Sequence, residues 1–202
     1  MDEQWLILSA QKGDLEAFNR LVLAYQDMVF THTYRLLGDA DSADDAAQET
    51  FISAYRSLMT FRGGSFRAWL LRIASNHCYD ELRKRKRRPT TPLEPLNLED
   101  EEIENVQWLI DPGQSPEEAA TQKALKEAIQ HCLDELPMDF RAVVVMVDVQ
   151  GLDYQEAAQA LAKPVGTIKS RLARARSRLQ ECLQGFWELL PSSLRLVGEG
   201  NS

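Results

Sequence analysis

A chain of 202 residues can form one medium domain or two small ones, and 44% hydrophobic with 27% charged residues is the composition of a globular protein, not a disordered one. The formal net charge is -8, no stretch reaches the ~18 apolar residues of a membrane span, and the opening MDEQWLILSAQKGD is unlike a secretory leader. The expectation is a cytoplasmic protein whose cysteines, Cys78, Cys132 and Cys182, are reduced, since an odd and scattered set does not fit a disulfide framework.

Along the chain the first predicted helix lies in GDLEAFNRLVLAYQDMVFTHTYRLLGD. Leu15, Phe18, Leu21, Val22, Tyr25, Met28 and Val29 fall on one stripe, with Asp14 as a cap and Gly38 as a stop. A second helix is predicted over SADDAAQETFISAYRSLMTF, opened by Ser42 three residues before Asp45 in capping-box order. Its core stripe is Phe51, Ala54, Tyr55 and Leu58, which puts Asp45, Gln48, Glu49 and Ile52 on the opposite side. An isoleucine among acids suggests a contact surface, although one exposed apolar residue is common.

The loop TFRGGS carries Phe61 and two glycines, and then SFRAWLLRIASNHCYDELRKRKRR reads as a third helix up to Pro89. Phe66, Trp69, Leu70, Ile73 and His77 share one side. Arg72, Asn76, Tyr79, Asp80, Arg83 and Arg87 share another, where cations can track phosphates, an amide can bond a base edge and an aromatic ring can stack an unpaired base. Core packing of Phe61 and a solvated end for the basic run RKRKRR are the plainer readings of those two features.

Charge is segregated by block. Residues 1–88 hold 13 basic and 12 acidic side chains, 89–122 nine acidic and no basic, and 123–184 nine basic and eight acidic. The acidic strip also holds five of the eight prolines and has no sustained apolar period, so residues 89–115 are expected to be a linker between two units, 1–88 and 116–184. The second unit begins with a helix near Pro116, ended by Pro137. DFRAVVVMVDVQ follows; its β-branched centre fits a strand, but its flanks and Gly151 favour helix.

DYQEAAQALAKPVGTIKSRLARARSRL reads as helix, turn, helix. Asp153 caps with Glu156 at the third position, Leu161 ends the first helix, and Pro164 suits the start of the second. Ile168, Leu172, Ala175 and Leu179 form the buried sector of that second helix. The rest presents Thr167, Ser170, Arg171, Arg174 and Arg178, flanked by Lys169 and Arg176. Residues 163–179 contain six Lys or Arg and no acid. A solvated face normally mixes both signs, so this one is read as facing phosphates and base edges. The tail 185–202 carries Phe186, Trp187, Leu189 and Leu190 and is given no role.

On these residues the chain resembles the extracytoplasmic-function group of sigma-70-type sigma factors, subunits of bacterial RNA polymerase. DADSADDAAQETFISAYRSL is similar to the family's core-binding segment, FRGGSFRAWLLRIASNHCYDELRKRKRRP to its minus-ten segment, and the string G-T-I-K-S-R-L-x-R-A-R to its minus-thirty-five reader. The resemblance implies an all-α fold of two small helical domains joined by a flexible acidic linker, the second with the helix-turn-helix. It implies that Asp45, Gln48, Glu49 and Ile52 meet the β′ clamp helices of core polymerase. Phe61, Asn76, Tyr79, Asp80 and Arg83 would meet the minus-ten element, and Thr167, Lys169, Ser170, Arg171, Arg174 and Arg176 the minus-thirty-five element. Core polymerase, including its β flap, promoter DNA and an anti-sigma protein are the implied partners, with no cofactor and no enzymatic activity. The linker would thread the polymerase's nucleic-acid channels and, being acidic, would screen the basic faces of the free protein. Two departures stand out: Ala162 and Lys163 occupy the helix-turn-helix turn where the family usually has Gly and an aliphatic residue, and the Phe61 loop is short.

Other classes fit less of the chain. A free-standing helix-turn-helix regulator leaves residues 1–88 without a role. An enzyme lacks a phosphate-binding Gly-x-x-x-x-Gly-Lys string, a zinc-protease pair and a nucleophile elbow. A metal-sensing regulator would need the dipeptides His77-Cys78 and His131-Cys132 to chelate, and adjacent helical residues point about 100° apart.

Overall fold

The computed structural model describes residues 3–87 and 116–189, and every regular element among them is helical. The first half comprises α1 (Glu3–Gln11), α2 (Leu15–Leu37), α3 (Ala40–Ser57) and α4 (Phe66–Arg87). The second comprises α5 (Pro116–Asp134), α6 (Met138–Val144), α7 (Tyr154–Ala160) and α8 (Val165–Gln184). The expected linker at 89–115, Arg88 and the tail from Leu190 onward lie outside the described residues.

α2 runs between its two sequence signals. The Asp14 carboxylate accepts the backbone N–H groups of Glu16 and Ala17 at 3.0 and 3.1 Å. Gly38 closes the helix at φ 83, a left-handed backbone that glycine adopts without strain. A Cβ on Gly38 would stand 2.9 Å from Asp134 Oδ2, so this glycine also lets the second half come close. Leu15, at the head of the predicted stripe, is instead 58% exposed, on the rim beside Ile52.

α3 starts two residues before Ser42, because Asp39 takes the cap and accepts the Ser42 N–H at 2.9 Å. Its buried face is made of Ala43, Ala46, Ala47, Thr50 and Ala54, small residues that let α2 and α4 approach. Tyr55, expected in the core, is half exposed, its ring tilted against Phe18 with centroids 4.9 Å apart.

One apolar core belongs to the first half and gathers Leu6, Ile7, Phe18, Leu21, Leu58, Phe66 and Leu70. The other spans both halves: Leu36 and Leu37 of α2 and Leu71 and Cys78 of α4 share a cluster with Val143, Met146, Leu152, Ala157 and Ile168. Each fully buried leucine contributes about 1.5–3 kcal/mol, so the halves close on a continuous apolar seam. Polar groups register it. The Arg35 guanidinium donates to Gln130 Oε1 at 3.0 Å, and Arg141 Nη1 donates to the Leu36 carbonyl at 2.8 Å and to Asp134 Oδ1 at 2.7 Å.

The segment DFRAVVVMVDVQ is helical, but its last turn widens to a π-helix at Val145–Val149. Gln150 then points inward, its Nε2 donating to the Met28 carbonyl at 3.3 Å, and Gly151 breaks the helix at φ 67. The cysteines correct the sequence reading: Cys78 is free and buried, whereas Cys132 and Cys182 form a disulfide with Cα atoms 5.7 Å apart. The partners are 50 residues apart in the chain and meet because α5 packs on α8, which spacing alone does not reveal.

At the end of α7, Lys163 N–H reaches the Ala158 carbonyl at 3.0 Å and Ala162 N–H the Gln159 carbonyl at 3.3 Å, a Schellman closure. It forces Ala162 to φ 51, the single left-handed non-glycine among the described residues. Ala162→Gly therefore raises the free energy of unfolding by about 1 kcal/mol in denaturant titration; an unchanged or lower value contradicts strain at this turn.

His32 is fully buried in α2. One ring nitrogen lies 2.8 Å from Ser75 Oγ, the other has no partner, and burial holds its pKa down to about 3. The unfolded chain takes up that proton near pH 6.5 and the folded one only near pH 3, so this contribution is complete above 6.5 and falls as pH drops below it. Between pH 7 and 5.5 the loss is about 1 kcal/mol in chemical unfolding. His32→Gln removes that slope; a slope unchanged in the variant assigns it to other groups.

Candidate nucleic-acid interface

The helix-turn-helix is built as its caps dictate. The Asp153 carboxylate accepts from Gln155 and Glu156 N–H at 2.7 and 2.8 Å while the Glu156 carboxylate accepts the Asp153 N–H at 3.0 Å. Ile168, Leu172 and Ala175 seat α8, as the periodicity predicts. Lys169, Ser170, Arg174, Arg176 and Arg178 are exposed, Thr167 and Arg171 half-buried.

These cations differ in how they are held. Arg176 grips Asp148 with Nε and Nη2 at 3.0 and 2.6 Å, and Arg171 Nη2 lies 2.7 Å from Asp139 Oδ2. Lys169 sits 5.6 Å from the Tyr154 ring centroid and Arg178 5.2 Å from that of Phe140. Among the described residues Arg174 and Lys163 carry no ion-pair partner. The acids Asp139 and Asp148 stand on α6 and its π turn, so the acid-free segment is partly neutralised by its neighbours in space. That pairing was invisible in the local sequence.

On α4, Arg72, Asn76, Asp80 and Arg83 form an exposed strip, Arg83 Nη1 being 3.3 Å from Asp80 Oδ1. Tyr79 departs from the expected free face. It packs into the seam between the halves, its hydroxyl donates to Asp139 Oδ1 at 3.4 Å, and burial, with the Asp139 charge, pushes the phenol up to about 12. The basic run also divides. Arg85 Nη2 bonds Asp39 at 2.6 Å, Arg85 also meets Glu81 and Ser42, and Lys84 lies 3.6 Å from Glu81. Arg85 thus braces the start of α3, while Lys86 and Arg87 stay exposed.

Phe61 leans on Phe66 and Trp69, each ring pair 5.4 Å between centroids, and is half-buried. Gly63 and Gly64 have φ of 100 and 89 with open space around them, so the loop next to Phe61 can be approached closely. Gln11 Nε2 donates to the Leu58 and Phe61 carbonyls at 3.0 and 2.8 Å and fixes the base of that loop. Helix α1 and Gln11 were missed in the sequence. The spacing of Leu6, Ile7 and Ala10 was the available signal.

Asp45, Gln48, Glu49 and Ile52 are all exposed on one face of α3, with Gln48 Nε2 donating to Asp44 Oδ2 at 2.7 Å. Ile52 borders a shallow open groove with Leu15, Phe18, Phe51, Tyr55 and Arg56. Among the described residues no group of three or more His, Cys, Asp or Glu is placed to hold a metal ion. His77 faces Ser53 Oγ at 3.0 Å, and Cys132 is spent in the disulfide.

Known proteins share this arrangement. The family model described as Sigma-70 region 2 matches residues 21–88, and that of Sigma-70, region 4, matches 126–179. The RNA polymerase sigma-H factor of Pseudomonas aeruginosa is 38% identical over 183 residues, covering 90% of this chain and 94% of that protein. The ECF RNA polymerase sigma-E factor of Haemophilus influenzae is 35% identical over 185 residues, covering 91% and 96%. Of solved structures, CnrH in complex with the cytosolic domain of CnrY matches with a TM-score of 0.65 and 25% identity, covering 91% of this chain and 97% of that one. The sigma factor RpoE bound to the anti-sigma factor NepR, from Bartonella quintana, matches at 0.60 and 25%, covering 83% and 96%.

Arg174→Ala weakens binding to random-sequence duplex DNA and makes the plot of log K against log salt shallower by about 1, the signature of one lost phosphate contact. An unchanged slope means that α8 meets duplex DNA through another face.

Proposed function

The chain belongs to the sigma-70 family of RNA polymerase sigma factors, and from that membership we propose how its surfaces divide the work of promoter-specific initiation. It is a specificity subunit with no chemistry of its own; core polymerase supplies the catalysis. The exposed face with Asp45, Gln48, Glu49 and Ile52 docks on the β′ clamp helices, where the isoleucine is buried and the acids meet basic partners. The Phe61 loop and Asn76, Tyr79, Asp80 and Arg83 take the opened minus-ten element. Thr167, Lys169, Ser170, Arg171, Arg174 and Arg176 enter the major groove of the minus-thirty-five element, with the second half against the β flap. The observation that carries this reading is α8: a buried apolar sector opposite a face that up to Leu179 holds basic residues and no acid.

The closed arrangement cannot be the promoter-bound one. Elements some 25 base pairs apart lie ~85 Å from each other along B-DNA at ~3.4 Å per step. Here Tyr79 and Arg171, one for each element, both contact Asp139. The halves must therefore separate when polymerase and promoter are engaged, exposing the seam of Leu71, Cys78, Ala157 and Ile168. Solved relatives are bound by the cytosolic domain of CnrY and by the anti-sigma factor NepR, which supports an anti-sigma protein as the keeper of this chain too, released by a stress or envelope signal. The place of action is the cytoplasm, where core polymerase and the chromosome are. Among the described residues no helix is long and apolar enough to cross a membrane.

Run-off transcription with purified core polymerase on a fragmented genomic library tests the reading. New start sites preceded by two spaced elements appear only with this chain, and Ile52→Glu abolishes them while leaving random-duplex binding intact. No new starts, together with tight sequence-specific binding by the chain alone, favours the free-standing helix-turn-helix regulator.

A further inference from the structure

The disulfide of Cys132 and Cys182 is the feature that initiation leaves unused. Cys132 stands on α5 with 1% of its surface exposed, whereas Cys182 is half-buried near the end of α8. Just beyond α8 Phe186 lays its ring edge-on to His131, with centroids 5.8 Å apart, so the end of α8 and the residues after it are held to α5 by a covalent bond and a ring contact besides their packing. The third cysteine takes no part: Cys78 is buried, and burial pushes its thiol up to about 12.

α5 supplies a polar part of the grip of the second half on the first, beside the apolar seam formed by α6, α7 and α8. Two residues before Cys132, Gln130 bonds Arg35. Two residues after it, Asp134 holds Arg141, which donates to the Leu36 carbonyl. Yet α5 buries few large apolar side chains, Leu133 being its one fully buried leucine. An element with so little apolar anchorage belongs to the low-stability end of a structure. The covalent tie therefore steadies the α5 groups that bond the first half, Gln130 and Asp134.

We propose that Cys132 and Cys182 form a reversible dithiol–disulfide site that controls opening of the two halves, the oxidised form being held closed and the reduced form free to engage polymerase. This rests on the sigma-factor reading above. The compartment that holds a bacterial chromosome is thiol-reducing, so the bond is not a standing staple and closes when the thiol poise shifts. The co-reactant is a low-molecular-weight disulfide of the glutathione class. The Cys182 thiolate, the more accessible, attacks it and releases one small thiolate; the Cys132 thiolate then displaces the second from the mixed disulfide. Two electrons pass from the protein to the small disulfide, the two cysteine protons leave, and excess small thiol reverses both steps.

The test has two independent readouts. Full-length chain is equilibrated in glutathione buffers of graded ratio, acid-quenched, alkylated and weighed by mass spectrometry, while hydrogen exchange is followed over residues 119–134. The expectation is a single two-electron transition within the glutathione range and at least 10-fold slower exchange of α5 in the oxidised form. Separately, chain oxidised beforehand and freed of glutathione is mixed with untreated core polymerase. It gives several-fold fewer run-off transcripts than reduced chain, and Cys182→Ser is active and indifferent to the same treatment. A bond that never forms, one that persists through all reducing buffers, or equal α5 exchange in both forms overturns the proposal. Equal transcription from oxidised and reduced chain overturns it as well. Transcription absent from reduced chain and Cys182→Ser alike refutes the sigma-factor reading instead, and α5 exchange still decides whether the pair controls the clasp.

Discussion

A single buried guanidinium joins the parts of this molecule. Arg141 on α6 donates to the carbonyl of Leu36 at the end of α2, to the carboxylate and carbonyl of Asp134 at the end of α5, and to the carbonyl of Leu136 in the turn between α5 and α6. Taking that cation out of water is costly, and burial lowers its pKa from the usual guanidinium range, opposed by the Asp134 charge. A planar fork with five donors can satisfy carbonyls from three chain segments at once, which an ammonium cannot. Where α2 ends, where α5 ends and how α6 begins are thereby set together, and Gly38 keeps the contact short by offering no Cβ.

On the proposed function, the same side chains around that clasp serve two exclusive arrangements. Asp139 neutralises Arg171 and receives the Tyr79 hydroxyl in the closed molecule, so two groups proposed to meet separate stretches of DNA hold one carboxylate instead. In the proposed complex phosphates compete with Asp139 and Asp148 for Arg171 and Arg176, and the more exposed Arg176–Asp148 pair yields cheaply, since surface ion pairs are worth ~1 kcal/mol or less. The apolar seam is the larger barrier. An external partner as large as polymerase, with its own apolar and charged docking surface, is suited to supply what opening costs.

Much of this was legible in the sequence because it is local. Asp14, Gly38, Asp153 with Glu156, and the Ile168–Leu172–Ala175 stripe each act within a turn or two of chain, and the helices sit where those signals place them. Ala162 was noted as a departure, and its left-handed backbone gives that departure a physical meaning. What escaped was long-range. The Cys132–Cys182 bond, the placement of Tyr79 in the seam, the pairing of Arg176 with Asp148 and the bracing of α3 by Arg85 all depend on which helices meet, information that periodicity does not contain. Tyr55 was misjudged for a related reason: the alanine face of α3 already fills the space beside α2 and α4.

On the proposed function the molecule is closed when alone and open when at work. Single-molecule energy transfer between dyes on non-natural residues at the exposed positions of Arg62 and Gln180 leaves every cysteine in place and reads the separation of the halves directly. One high-efficiency population in the free chain, converted to low efficiency by core polymerase and promoter, is the result predicted. Low efficiency in the free chain, or high efficiency retained in the transcribing complex, would contradict it.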